Sequence, residues 1–147
     1  MINKFDLVFG DFLKTVKLEA GQGMSSFPKI FVYGNLMRGF RNHQYLAGAK
    51  FLGTGRTVEK CGMYTDGSIP FVVQDEEVSF IYGELYVLDI FCLRNLDRLE
   101  GHPRWYKREE IEICLNKDTN TPVVAWMYFM PHKIGRLIPS GKFTNTF

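Results

Sequence analysis

A chain of 147 residues falls in the size range of one domain, and a content of 46% hydrophobic and 15% aromatic residues supplies a real core and excludes a disordered chain. Lys and Arg total 18 against 16 Asp and Glu, a net charge of +2 that argues against a surface devoted to nucleic acid or anionic membrane. No run approaches the ~18 apolar residues of a membrane span, and Asp6 and Asp11 interrupt the apolar stretch near the N-terminus, which argues against a signal peptide. The default expectation is a cytoplasmic protein. The three cysteines, Cys61, Cys92 and Cys114, are odd in number and lack a CxxC pair, so reduced thiols are expected. His43, His102 and His132 are scattered, and neither a metal nor an organic cofactor is expected.

Taken in chain order, residues 1–23 form an N-terminal extension. Phe5, Val8, Phe9, Phe12 and Val16 repeat at helical spacing, and Gly21 and Gly23 close the segment. Either an accessory helix or an upstream start ahead of Met24 fits this pattern. The domain proper is expected over 24–147. Ile30–Tyr33 reads as a buried strand, Asn35–Gly39 as a loop and Asn42–Leu46 as a helical turn. Lys50–Val58 reads as a strand whose Gly53 and Gly55 mark bends or close backbone approach. Asp66-Gly67 marks a turn, followed by a strand at Ile69–Val73. In Val78–Leu88 apolar and aromatic residues occupy both faces, so both are expected to pack.

Ile90–Glu100 is the strongest helix, with Asp89 as N-cap and Gly101 as the residue that ends it. Lys107–Leu115 alternates isoleucines with Glu110 and Glu112, giving one wet face. Asp118–Asn120 is expected to turn the chain into a last strong strand, Val123–Met130, before an irregular tail. Many short strands with one good helix predict an α+β fold, a strongly bent mixed sheet or small barrel with the helix packed on it.

Three groups of residues carry candidate chemistry. In FVYGNL, Phe31 to Leu36, a buried strand runs into Gly34 and opens into a polar loop. The glycine suits a positive φ or the close approach of a ligand, and successive N–H groups of such a turn form an anion-binding concavity. An ordinary exit from a strand has the same pattern. Glu100 shares a helix face with Leu93 and Leu96 at i, i+3 and i+7, which points it inward. It also stands in the last helical turn, where a carboxylate is disfavoured and its pKa raised. A frayed, solvated helix end is the competing reading. Trp105, Tyr106, Trp126 and Tyr128 suit a pocket wall or a core, and Tyr106 follows Glu100 across a Gly-His-Pro-Arg turn that folds it back towards the carboxylate.

FVYGNLMRG, NHQYL, AKFLGTGRT, IPFVV, YGELYVLD, LDRLEGHPRWYKR and VVAWMY, in this order, resemble the gamma-glutamylcyclotransferase-like family from about Ile30 to Met130, with the gamma-glutamylamine cyclotransferases the nearest branch. The resemblance implies a small bent mixed β-barrel with flanking helices. It implies a small-molecule γ-glutamyl substrate, converted to 5-oxoproline and a free amine without a cofactor. It assigns the γ-glutamyl-binding loop to Tyr33, Gly34, Asn35 and Leu36, and the general acid/base to Glu100; Tyr106 joins them as a binding residue from its position. Asn35 replaces the Ser or Thr usual in the family, which bears on substrate preference. Two alternatives stay open: a non-catalytic γ-glutamyl-binding module, and an enzyme that removes a γ-glutamyl protecting group in a biosynthetic pathway. The leaving amine and the oligomeric state are left open.

Overall fold

The computed structural model describes residues 27–144; the extension 1–23 and its apolar stripe lie outside them. The elements are β1 (Lys29–Val32), a 3-10 turn (His43–Leu46), β2 (Lys50–Thr57), β3 (Gly62–Thr65), β4 (Pro70–Val73), β5 (Tyr82–Val87), α1 (Ile90–Glu100), β6 (Lys107–Leu115), β7 (Asp118–Phe129) and β8 (Arg136–Leu137). Five strands close a barrel in the order β1-β5-β2-β6-β7, and β4-β3-β8 form a separate three-stranded sheet. All barrel pairs are antiparallel except β1 with β7, which run parallel through Ile30 and Trp126. The expected mixed barrel is therefore present, flanked by one α-helix and one 3-10 turn among the described residues.

Strand alternation divides the side chains between two cores. Phe31 on β1, Leu85 on β5 and Ala125, Met127 and Phe129 on β7 point into the barrel. Their neighbours Ile30, Val32, Tyr86, Tyr128 and Met130 face outward, where Leu93 and Leu96 of α1 cover them. This is why β5 is buried on both faces, as its sequence requires. The two glycines of β2 serve the curvature. Gly53 has φ +148 at a register shift opposite β5, and a Cβ on Gly55 would come within 2.4 Å of the Cys114 carbonyl oxygen.

Other boundaries differ from expectation. The chain turns at Asn116–Lys117 instead of Asp118–Asn120, and β7 begins at once at Asp118. Polar residues carry its first turn of strand because that end projects beyond the barrel into water. The strand expected from Val78 begins at Tyr82; before it, Ser79 makes only an isolated bridge with Cys61. β3 and the two-residue β8 escaped the reading because their residues pack in a small sheet set by tertiary contacts rather than by local alternation. Cys61 and Cys114 are buried and Cys92 half-buried, and none is in a disulfide.

Candidate active site

The C-terminal end of α1 forms one wall. Asp89 Oδ1 caps the start of the helix by accepting from the Cys92 N–H at 2.8 Å, and Leu93 and Leu96 hold its apolar face on the barrel. Gly101, at φ 68, ends it in the left-handed conformation, and the His102 N–H reaches back to the Asp97 carbonyl at 2.9 Å. The chain then folds over the helix end. The N–H groups of Arg104 and Trp105 donate to the Gly101 carbonyl, and that of Tyr106 to the Glu100 carbonyl at 3.1 Å. This return places Trp105 and Tyr106 beside Glu100, as the Gly-His-Pro-Arg spacing suggests.

One turn before Glu100, Asp97 locks the corner to the barrel. Its carboxylate accepts from Arg108 Nε at 2.8 Å, Arg108 Nη2 at 3.1 Å and the Tyr128 hydroxyl at 2.7 Å. The guanidinium lies 4.3 Å over the Trp126 ring, so Trp126 supports the clamp rather than the cleft. A bidentate Arg–carboxylate pair fixes direction as well as distance, and α1 is thereby held in register with β6 and β7.

The loop after β1 forms the opposite wall. The Gly34 carbonyl accepts from the Met37 N–H at 3.0 Å, the Asn35 carbonyl from Asn42 N–H at 2.9 Å, and Leu36 O lies 2.9 Å from His43 Nδ1. Glu84, buried on β5, accepts from the Arg38 N–H and the Tyr86 hydroxyl, each at 2.9 Å, and anchors the loop from below. The carbonyls of this turn are thus engaged. The N–H groups of Gly34, Asn35 and Leu36, by contrast, donate to no group among the described residues. Successive backbone donors left free in a turn are the raw material of an anion-binding concavity.

Gly34 has a reason other than the one its sequence suggests. Its φ is not positive, and a Cβ there would lie 2.5 Å from Cγ of Pro70. The glycine lets the loop pack against the Pro70 ring.

Between the walls lies a cleft of about 200 Å³. Tyr33, Gly34, Asn35, Leu36, Glu100 and Tyr106, distant in sequence, all line it. Glu100 is half-buried, and burial raises its carboxyl to a pKa of about 7. No hydrogen bond from a described residue offsets that burial. Burial, with Glu100's charge as a lesser cause, also pushes the hydroxyls of Tyr33 and Tyr106 upward, so both stay protonated at neutral pH. Each proton is already committed: Tyr33 donates to the Tyr128 carbonyl at 2.8 Å and Tyr106 to the Pro70 carbonyl at 2.9 Å. Both tyrosines therefore shape the cleft more than they offer it donors.

The sequence reading missed Asn42, Ile69, Pro70 and Leu99, which also line the cleft. Asn42 stands in the NHQYL motif, and that was the available signal. Its carboxamide and that of Asn35 make no hydrogen bond among the described residues. No group of His, Cys, Asp and Glu with the arrangement of a metal site occurs among the described residues, and no described helix is long and apolar enough to cross a membrane.

The cleft brings together one carboxyl without a hydrogen bond among the described residues and a loop whose N–H groups are likewise unbonded. Comparison with known proteins gives this site a family. The family model described as "Gamma-glutamyl cyclotransferase, AIG2-like" matches residues 30–145. A Methanocaldococcus jannaschii protein, named provisionally as a gamma-glutamylcyclotransferase, is 45% identical over 117 residues, covering 79% of this chain and 95% of that protein. The gamma-glutamylaminecyclotransferase of Rattus norvegicus is 30% identical over 128 residues, covering 71% of this chain and 86% of the rat protein. The crystal structure of an AIG2-like protein from Mus musculus superposes with a TM-score of 0.72 at 25% identity, over 82% of this chain and 90% of that one. The chain belongs to the gamma-glutamyl cyclotransferase, AIG2-like family.

Proposed function

We propose that this protein is a gamma-glutamyl cyclotransferase that converts a γ-glutamyl amine or γ-glutamyl amino acid to 5-oxoproline and free amine, with Glu100 as general acid/base. The observation that carries the reading is the pairing of Glu100, unbonded and poised near pH 7, with the free N–H groups of Gly34, Asn35 and Leu36 in one cleft.

The reaction is an internal attack of the substrate's α-amine on its own γ-carbonyl. Holding the chain in the ring-closing conformer supplies an effective molarity of ~10⁵–10⁸ M, equivalent to ~7–11 kcal/mol of the barrier. What remains is a proton problem at two nitrogens. The ionised Glu100 takes one proton from the α-nitrogen as the neutral amine attacks and returns it to the departing nitrogen, which leaves as the free amine; a carboxyl with a pKa of about 7 can do both at neutral pH. The nest of the Tyr33–Leu36 loop holds the substrate carboxylate or the developing oxyanion with donors already oriented.

The test is a 5-oxoproline assay on γ-glutamyl-lysine, γ-glutamyl-alanine and glutathione, run with wild type and Glu100→Gln. The variant keeps size and shape and is expected to lose ~10²–10⁴-fold in kcat. Wild-type turnover by Glu100→Gln would remove the assignment, and the absence of 5-oxoproline from every substrate would favour a binding module instead.

A further inference from the structure

The barrel wall opens at the seam between β1 and β7. β7 pairs with β6 along its length, but with β1 only at Trp126. Upstream of Ile30 the chain leaves β7 and stays with β5: Lys29 pairs with Val87, and the Leu88 N–H donates to the Pro28 carbonyl at 3.1 Å. The two segments diverge, and a groove of about 430 Å³ opens between residues 27–29 and 123–126.

Both cores reach the surface in this groove. Val123 packs on the barrel interior and Trp126 on the outer core, yet each is only half-buried. Val124 between them is 55% exposed. Over residues 118–125, the edge of β7 that faces away from β6 meets no strand among the described residues. An apolar groove along a bare strand edge is a surface that proteins cover. A cover bears on the rest of the molecule, because Arg108 lies 4.3 Å over the Trp126 ring and holds Asp97.

The chain itself supplies a candidate of the right size. Phe27, the first described residue, lines the groove, so residues 1–26 depart from its rim. Phe5, Val8, Phe9, Phe12 and Val16 recur at helical spacing. At helical rise that stripe is roughly 17 Å long, against roughly 23 Å for the bare edge of β7. Residues 17–26 can span ~33–36 Å when extended, enough to turn the stripe back along the edge from which the chain departs.

We propose that residues 5–16 lie in this groove of their own chain, with Phe5, Phe9, Phe12 and Val16 packed on Val124 and Trp126. The extension is then a part of the barrel wall, and it supports the corner that carries Glu100 through Trp126 and Arg108.

The protein has two tryptophans, so Trp105→Phe in the full chain leaves Trp126 as the sole indole. In this background Phe9→Ser with Phe12→Ser is expected to move the emission to longer wavelength. Acrylamide quenching should rise at least about twofold as a covered indole becomes half-exposed. Phe9→Leu with Phe12→Leu keeps the face apolar and should leave both readings near the parent values. Equal quenching in the parent and the serine variant overturns the proposal. Contact is tested separately by oxidising Phe5→Cys, Phe9→Cys or Phe12→Cys, each combined with Val124→Cys and Cys92→Ser, since Cys61 and Cys114 are buried. At least one pair is expected to form a disulfide within one chain. No disulfide from any pair overturns the placement. Disulfides that only join two chains, seen by mass, would give the groove to the extension of a second copy and overturn it as well. Neither readout depends on the proposed reaction.

Discussion

Two carboxylates stand one turn apart on α1 and are treated in opposite ways. Asp97 accepts from two guanidinium nitrogens and a tyrosine hydroxyl. Glu100 is drawn into the cleft and given no donor, so burial lifts its pKa to about 7. The first arrangement stabilises the charged form and spends it on position. The second leaves the charge uncompensated and available for proton transfer. A carboxylate in a fold therefore declares its role by its partners more than by its burial, and the unsatisfied member of such a pair is the one to suspect of chemistry.

The contrast can be broken at each end. The largest effect on stability is expected from Asp97→Ala, which strands the Arg108 guanidinium in a largely buried site at a cost of about 3–5 kcal/mol. Urea unfolding of the variant checks this, and a loss under 1 kcal/mol would mean the clamp is dispensable. Glu100→Gln should move the other way. Its carboxyl titrates near 7 in the folded protein against a reference of 4.5, so the folded state binds the proton more tightly. Linkage then lowers wild-type stability as pH rises from about 4.5 through about 7, by an amount on the order of 2–3 kcal/mol above that range. Glu100→Gln is expected to gain about that much at pH 8 and almost nothing at pH 4.5, measured by denaturant midpoints at the two values. A gain equal at both would dissociate the effect from ionisation.

The same carboxyl predicts a kinetic limb. In the proposed reaction the ionised form accepts the first proton, so kcat/KM is expected to rise with pH up to about 7, falling about tenfold for each unit below it. A profile flat between pH 5 and 7 contradicts that role. The smallest expected change belongs to Tyr106→Phe, which removes the donor to the Pro70 carbonyl. It should cost about 1 kcal/mol in stability and change KM more than kcat, since that hydroxyl supports the wall without touching a transferred proton.

How much of this was legible in the sequence depends on how locally each feature is determined. Helix α1 was readable to the residue, because Asp89, Leu93, Leu96 and Gly101 each carry a signal a few positions wide. Glu100 followed from that helix, and the YGNL turn from its motif. The turn at Asn116–Lys117 was placed too late because Asp118–Asn120 has turn-like composition, although β7 takes it as a solvated strand end. The positive φ expected at Gly34 is absent, and its packing against Pro70, 36 positions further on, has no local signal, because nothing local reports a contact of that range. Asn42, Ile69 and Leu99 were missed for the same reason: the cleft assembles from the ends of separate elements, and residue type alone does not say which ends meet.

The parallel seam between β1 and β7 has a consequence for how the protein is made. Synthesis runs from one end of the chain, yet the first strand of the barrel finds a neighbour at Trp126, and Tyr33 ties its hydroxyl to the carbonyl of Tyr128, 95 positions later. While the ribosome is still short of β7, β1 and β5 can pair, but the barrel stays open and β1 presents an unpaired, apolar edge. Nor can a site exist in that interval, since Arg108 and Tyr128, which fasten the Glu100 corner, arrive with the last strands. Long-range closure of this kind is slow relative to local pairing. A chain that lacks β7 leaves this seam open, so the barrel and the cleft are completed in the same step.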